Sequence, residues 1–158
     1  MGNGSYSIFI SEDKMIEQDT VRLLRECDKG VKMGISSIDD VYRYVRSEPL
    51  KRILSECRSD HEALGHDIED QLMRVGDTGK DPGAIVKGMS WVKTTAMLAM
   101  NTSDNTVADL MTDGANMGVK SLSRYLNQYA AADERSKDVT KRLIKIEENM
   151  SHDMRGFL

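Results

Sequence analysis

Apolar residues recur every three or four positions through most of this chain, which is the spacing of one face of an amphipathic α-helix. One long stripe contains a single histidine among apolar side chains, and its members are Leu50, Leu54, Cys57, His61, Leu64, Ile68, Leu72 and Val75. Capping residues and helix-breaking prolines and glycines separate this stripe from three others. The pattern predicts four long helices over about residues 11–46, 49–75, 103–131 and 133–158.

The connections between these helices predict how they are arranged. Short connections join the first helix to the second and the third to the fourth, which favours two antiparallel hairpins. The span from Gly76 to Ser103 is long enough to cross a bundle, and a short, unusually apolar helix is predicted within it from about Gly83 to Met100. Residues 1–10 lack a helical period and are predicted to form a flexible arm. The remaining residues, 11–158, are predicted to form one all-α domain, an antiparallel four-helix bundle with an extra crossover helix.

Short strings recur between the two halves of the chain. Gly30-Val31-Lys32 recurs as Gly118-Val119-Lys120, and Glu62-x3-His66-Asp67-Ile68 recurs as Glu148-x3-His152-Asp153-Met154. The repeat indicates a duplicated helical hairpin, with chance similarity of short strings as the alternative.

Two duplicated hairpins joined by a long crossover resemble the ferritin-like superfamily over about residues 12–158. The stretches 89–93 (Met-Ser-Trp-Val-Lys), 113–118 (Asp-Gly-Ala-Asn-Met-Gly) and 124–127 (Arg-Tyr-Leu-Asn) are similar to an uncharacterised bacterial branch of that superfamily. The resemblance implies a ferritin-like fold. It also raises the question of a di-iron site, which catalytic members build from a Glu on two helices and a Glu-x-x-His on the other two.

The chain departs from that ligand pattern. Arg58 stands three residues before His61, and Met150 stands three residues after Glu147. Asp28 is the only acid on the first stripe, and the third stripe has none. A cation and a thioether do not suit a charge-balanced iron centre, so we expect no conventional di-iron site and no cofactor.

Other histidine positions leave a metal site open as an alternative. His61 is expected to be either a hydrogen-bonded histidine in or at the boundary of the core, or a metal ligand. Glu62 with His66, and Glu148 with His152, are spaced to meet on one helical face, and both pairs are expected to point outward. Each is either an exposed, helix-stabilising pair or part of an iron or zinc site shared between subunits.

Apolar and small residues provide two packing predictions. The short crossover helix has more apolar faces than one bundle groove can cover, so we expect a subunit interface through Met89, Trp91, Val92, Met97 and Met100. The third stripe is centred on Gly114 and Gly118, which favours close helix packing, with an apolar ligand as the alternative.

Composition narrows the partners. The chain has 158 residues, is 39% apolar and carries a net charge of -4 without a dense basic patch, so nucleic acid and anionic membranes are not expected partners. It contains no run of about 18 uncharged apolar residues and no secretory leader pattern, which favours the cytoplasm. Cys27 and Cys57 lie too far apart along their hairpin for a disulfide and are expected to be buried free thiols.

Together these observations predict a non-catalytic, self-associating protein with an interaction or stress-associated role, a homodimer being favoured. The alternative is an iron-handling protein or di-iron-type oxidase with an unconventional or intersubunit site.

Overall fold

The computed structural model describes residues 11–77 and 103–158, and these residues form four α-helices and a short 3-10 helix, with no β-strand. The helices are α1 (Glu12–Tyr42), α2 (Glu48–Arg74), α3 (Asp104–Gln128) and α4 (Glu134–Met154), and the 3-10 helix is Arg155–Phe157. The predicted all-α class is confirmed for this part of the chain. The predicted arm over residues 1–10 and the predicted crossover helix over residues 83–100 lie outside the described residues.

Each helix begins at a side chain that caps it. Ser11, Ser47, Ser103 and Asp133 each accept a hydrogen bond from the backbone N–H three residues later. Such a cap satisfies one of the free N–H groups of the first turn and contributes about 1 kcal/mol. These caps explain why the sequence located the starts of the helices well.

The turn between α1 and α2 is held by the first residue of α3. The Asp104 carboxylate accepts hydrogen bonds from the backbone N–H groups of Arg46 at 2.7 Å and Ser47 at 2.9 Å. These bonds hold the pKa of Asp104 below its usual range. The predicted end of the first helix near Arg46 is therefore wrong: α1 ends at Tyr42, and the backbone that follows is bound by a distant carboxylate instead of continuing the helix.

The end of α2 lies where the sequence predicted a break. Gly76 has a φ of 76°, which only glycine adopts without strain. The N–H of Asp77 then donates to the carbonyl of Leu72 at 2.9 Å, which closes the helix end.

Contacts along the helices show which of them are neighbours. Helix α1 packs against α2, α3 and α4, and α4 also packs against α2 and α3. Asp39 contacts Arg58 near the α1–α2 turn, whereas Arg25 contacts Asp77 at the far end, so α1 and α2 run in opposite directions.

The apolar core is divided into two clusters. One lies toward the α1–α2 turn, and its buried members are Ile38, Val41, Val45, Leu50, Leu54, Cys57, Val107, Ala108, Met111, Ala115, Met150 and Met154. The other lies toward the opposite end and contains Leu24, Cys27, Val31, Leu64, Ile68, Leu72, Leu122, Val139 and Leu143. On α2, α3 and α4 the boundary between the two clusters falls near the middle of the helix, whereas on α1 it falls between Val31 and Ile38, in the second half.

The first predicted stripe is buried at most of its positions, and the third is rotated in the structure. Tyr42, placed on the first stripe, is 39% exposed. On α3 the buried line runs through Ala108, Ala115 and Leu122, while Gly114 and Gly118 lie half-buried beside it. Alanine, unlike glycine, has an apolar methyl group to bury, so the line of Ala108, Ala115 and Leu122 packs inward. None of the described helices has the length and apolar character needed to span a membrane.

Candidate functional site

A buried histidine and a glutamate meet between the two apolar clusters. His61 on α2 is 1% exposed, and its Nε2 lies 2.9 Å from Oε1 of Glu147 on α4. Its Nδ1 lies 2.8 Å from the backbone carbonyl oxygen of Cys57, one turn earlier. A carbonyl can only accept, so Nδ1 carries a hydrogen and donates it. Both ring nitrogens are therefore bonded within the bundle.

The surroundings of His61 favour its charged form. Burial alone lowers the pKa of His61, but the contact of Nδ1 with the Cys57 side chain and the hydrogen bond of Nε2 to Glu147 outweigh it and raise the pKa to about 10. At neutral pH, His61 donates from Nε2 as an imidazolium, and Glu147 accepts as a carboxylate. The site is an ion pair within the bundle core.

Glycines on the other two helices leave room for this pair. A Cβ at Gly34 of α1 would lie 2.5 Å from Nε2 of His61, and a Cβ at Gly118 of α3 would lie 3.2 Å from Cγ of Glu147. The first distance is shorter than any tolerable contact, so the ring occupies the space that an alanine side chain would need. All four helices thus contribute to one polar layer, which we call the His61–Glu147 layer, consisting of Gly34, His61, Gly118 and Glu147.

The layer is closed on the histidine side and only slightly open on the glutamate side. The Glu147 side chain is 13% exposed, and no buried polar side-chain atom of the described residues lacks a hydrogen-bond partner. Breaking such a pair leaves one buried charge without a partner, which costs about 3 to 5 kcal/mol. The arrangement is suited to holding helices together.

The structure also records a surface cleft of about 350 Å³ between α2 and α4, away from the layer. Its lining side chains are charged or polar: Asp67, Asp70, Gln71, Arg74, Glu134, Arg135 and Asp138. The pKa of Asp67 is lowered, chiefly by its hydrogen bond to the Arg142 guanidinium. Acidic side chains outnumber basic ones in the lining, and Arg142 beside the cleft forms ion pairs with Asp67 and Asp138.

The outward-facing candidates lie where the sequence placed them, on the surface. Glu62 is bound to Arg58, which also binds Asp39. His66 is 82% exposed and lies 3.9 Å from Glu69. Glu62 and His66 are therefore not paired with each other.

The second outward pair is separate from the first. Glu148 is exposed, and His152 is 72% exposed and lies 3.4 Å from Asp153. The Asp67–Arg142 and His61–Glu147 contacts fix the register of α2 against α4 and place His66 and His152 roughly 15 Å apart along the bundle axis. Within one chain these two histidines do not share an ion, and a site between subunits stays a prediction.

These residues do not fit a di-iron centre. The described residues contain no group of three or more His, Cys, Asp or Glu side chains arranged to hold a metal ion. The nitrogens of His61 are both engaged, and Asp28, the one acid predicted on the first stripe, binds Lys32 at 2.6 Å instead.

The two cysteines are buried free thiols, as predicted. Sγ of Cys27 on α1 lies 3.1 Å from Oγ1 of Thr140 on α4. Burial raises the pKa of the Cys27 thiol to about 12.

Of the remaining predicted residues, the two glycines of α3 are described and the interface residues are not. Gly118 lies against Glu147, and Gly114 is half-buried one turn earlier. The predicted interface residues Met89, Trp91, Val92, Met97 and Met100 lie outside the described residues. Comparison of the chain with protein-family models, with curated proteins and with solved structures found no match.

Sequence reasoning missed the role of Glu147. It placed this residue at the edge of the fourth stripe and considered it only as part of an incomplete iron-binding motif. Connecting this acid to His61 requires the register of α4 against α2, and the two residues are 86 positions apart in the sequence.

Proposed function

We propose that this chain is a non-catalytic, ferritin-like four-helix bundle protein that self-associates in the cytoplasm and acts through protein interactions. The observation that carries the proposal is the His61–Glu147 layer. Both ring nitrogens of His61 form hydrogen bonds inside the bundle, and the backbone of α1 lies close to the ring at Gly34. No ring atom is left over for substrate or metal, so the layer serves the scaffold.

The ferritin-like arrangement is supported by where the helices begin and end. Helix α2 ends beside the first half of α1, since Asp77 binds Arg25 at 2.6 Å. Helix α3 begins beside the α1–α2 turn, since Asp104 binds Arg46 and Ser47. The end of α2 and the start of α3 therefore lie at opposite ends of the bundle, which is the placement expected of a ferritin-like chain.

Self-association is supported by the sequence of that crossing. Its apolar residues, Trp91 among them, exceed what one groove of a small bundle covers. We infer a homodimer with Trp91 at its interface.

A metal site between subunits is the second candidate, because His66 and His152 are 82% and 72% exposed and accessible to a neighbouring subunit. Such a site would make the protein an iron-handling protein or oxidase. It requires these histidines, whereas the interaction role does not.

The test combines molar mass with metal content. Untagged protein from iron-, zinc- and manganese-supplemented medium is analysed by light scattering after size exclusion and by elemental mass spectrometry. We expect a dimer that contains far less than one metal ion per chain, and a Trp91→Ala variant that is monomeric. Tyr42→Ala, which removes an exposed aromatic ring from α1, is the matched control and should stay dimeric.

Two results would contradict the proposal. A monomeric wild type would remove self-association. Near-stoichiometric metal that disappears in His66→Ala/His152→Ala would establish the metal site, and this double variant removes only exposed side chains, so its folding should be intact.

A further inference from the structure

The two hairpins approach the His61–Glu147 layer in the same way. In the first hairpin, Gly34 of α1 faces the polar side chain of His61 on α2. In the second, Gly118 of α3 faces the polar side chain of Glu147 on α4. Each hairpin therefore offers a glycine on its first helix and a buried polar group on its second. The two polar groups meet where the hairpins pack together.

Because the two hairpins are built in the same way, each could also pair with a hairpin of its own kind. A first hairpin could pair with the first hairpin of another chain, and a second hairpin with another second hairpin. The first alternative would bury two imidazole rings against each other, and the second would bury two carboxylates. Pairing of the first hairpin with the second brings opposite charges together. Pairing of like hairpins brings like groups together, and like charges in a low-dielectric core repel strongly.

We propose that the His61–Glu147 pair selects the pairing of the first hairpin with the second and disfavours pairing of like hairpins. This selection does not depend on whether the finished bundle self-associates or on what it binds.

The other polar contacts between the hairpins are less suited to this role. Arg142 and Asp67 form an ion pair between α4 and α2, but their side chains are 52% and 41% exposed. Solvent screens exposed pairs, which typically contribute little. The contact of Cys27 with Thr140 is buried but uncharged. Burial and opposite charge coincide at the His61–Glu147 pair.

The groups that face His61 are few. On its own helix it faces the thiol and carbonyl of Cys57, and across the core it faces Glu147 of α4. Helices α1 and α3 contribute the uncharged Gly34 and Gly118 to the layer. Arg58, which follows Cys57 on α2, is bound to Asp39 and Glu62 at the surface.

The symmetry of the layer makes an exchange test feasible. A histidine at position 147 would find the carbonyl of Leu143 four residues earlier, as His61 finds the carbonyl of Cys57. Gly118 would leave space beside that ring, as Gly34 does beside the ring of His61. The exchanged pair should therefore reproduce the same two kinds of hydrogen bond.

The experiment compares four full-length proteins by urea unfolding: wild type, His61→Glu, Glu147→His and the exchanged His61→Glu/Glu147→His. At pH 7 each single variant should unfold at a urea midpoint about 1 to 2 M lower than wild type, because each loses the buried ion pair. The exchanged variant should recover at least half of that loss. Light scattering after size exclusion should show the same molar mass for wild type and the exchanged variant.

The single variants should also respond to pH in opposite directions. Glu147→His should gain stability as pH rises past the ordinary pKa of histidine, since both rings then become neutral. His61→Glu should gain stability as pH falls toward the ordinary pKa of glutamate. If the two substitutions merely disrupted packing, the stabilities of the two variants would not change with pH in opposite directions.

The exposed Asp67–Arg142 pair between the same helices is the matched control, and Asp67→Arg and Arg142→Asp should shift the midpoint by less than about 0.5 M. The proposal is overturned if the exchanged variant is no more stable than the weaker single variant. It is also overturned if both single variants change with pH in the same direction.

Discussion

At the scale of single residues, neighbouring side chains explain why the layer has glycines within its helices. Glycine in the interior of a helix costs about 0.8 to 1 kcal/mol relative to alanine. Gly34 is nevertheless needed, because a Cβ there would lie 2.5 Å from Nε2 of His61, a ring held on both sides by hydrogen bonds. Gly30, one turn earlier on α1, has only the end of a leucine side chain near it, 3.3 Å from the added Cβ.

Gly34→Ala should therefore lower the free energy of unfolding by about 1 to 3 kcal/mol, because overpacking the ring outweighs the gain in helix propensity. The matched substitution Gly30→Ala should be neutral or stabilising, since Cδ2 of Leu143 can move aside. Urea unfolding at pH 7 measures both. Equal effects of the two substitutions would show that the ring does not limit the space at Gly34.

The residue scale also shows what the sequence could and could not predict about the site. A single histidine within the apolar stripe of α2 was enough to predict that His61 is buried and polar. Its partner was not predictable, because the helical period locates a side chain on its own helix and carries no information about the neighbouring helix. Glu147 lies at a stripe edge, where an acid is usually solvated.

At the scale of helices, the start of α3 does more than begin an element. Asp104 accepts hydrogen bonds from two backbone N–H groups of the α1–α2 turn, at 2.7 and 2.9 Å. It also places a negative charge at the N-terminus of α3, where the helix dipole favours one. One carboxylate thus stabilises two elements.

Asp104→Ala should lower the free energy of unfolding by about 1 to 3 kcal/mol, since it leaves two N–H groups without their charged acceptor. Asp109→Ala, at an exposed position one turn later on α3, should change it by less than about 0.5 kcal/mol. Because the pKa of Asp104 is lowered in the folded state, its contribution is present above the unfolded pKa and is lost as pH falls through the folded pKa. Urea unfolding at pH 7 and pH 3 should therefore show a smaller difference between wild type and Asp104→Ala at the lower pH.

The ends of the helices illustrate the same limit of the sequence. Ser11, Ser103 and Asp133 cap their helices as predicted, because a cap acts within three residues of itself. The end of α1 was predicted four residues too late, because the group that binds the following turn is Asp104, 58 residues from Arg46. Local signals located the starts, and a distant contact determined the end.

At the scale of the whole molecule, a charged layer separates two apolar clusters. Each cluster draws residues from all four helices, so neither can form fully until the hairpins are paired. The layer adds a pH-dependent contribution to the stability of the core.

The wild type should lose stability as pH rises from about 6.5. The pKa of His61 rises from 6.5 to about 10 on folding, so its contribution is complete below 6.5 and is lost as pH approaches 10. The loss cannot exceed about 1.4 kcal/mol per pH unit for one proton. Urea unfolding between pH 6.5 and 8.5 measures it below the range in which Cys27 adds a loss of its own, since that thiol titrates near 9 when unfolded.

Glu147→Gln should flatten this slope, because the amide still meets Nε2 but no longer favours the imidazolium. His66→Ala, at an exposed histidine, should keep the wild-type slope. A steep slope in Glu147→Gln would assign the pH dependence to another group.

The contact of Cys27 with Thr140 bears on the chemical durability of the molecule. Electrophiles and oxidants react with thiolates, and burial raises the pKa of Cys27 so far that it is almost entirely a neutral thiol at pH 7. The sulfur is also fully enclosed between α1 and α4. Oxidative damage at this position is therefore governed by how often the two helices separate, and the folded chain protects its own thiol.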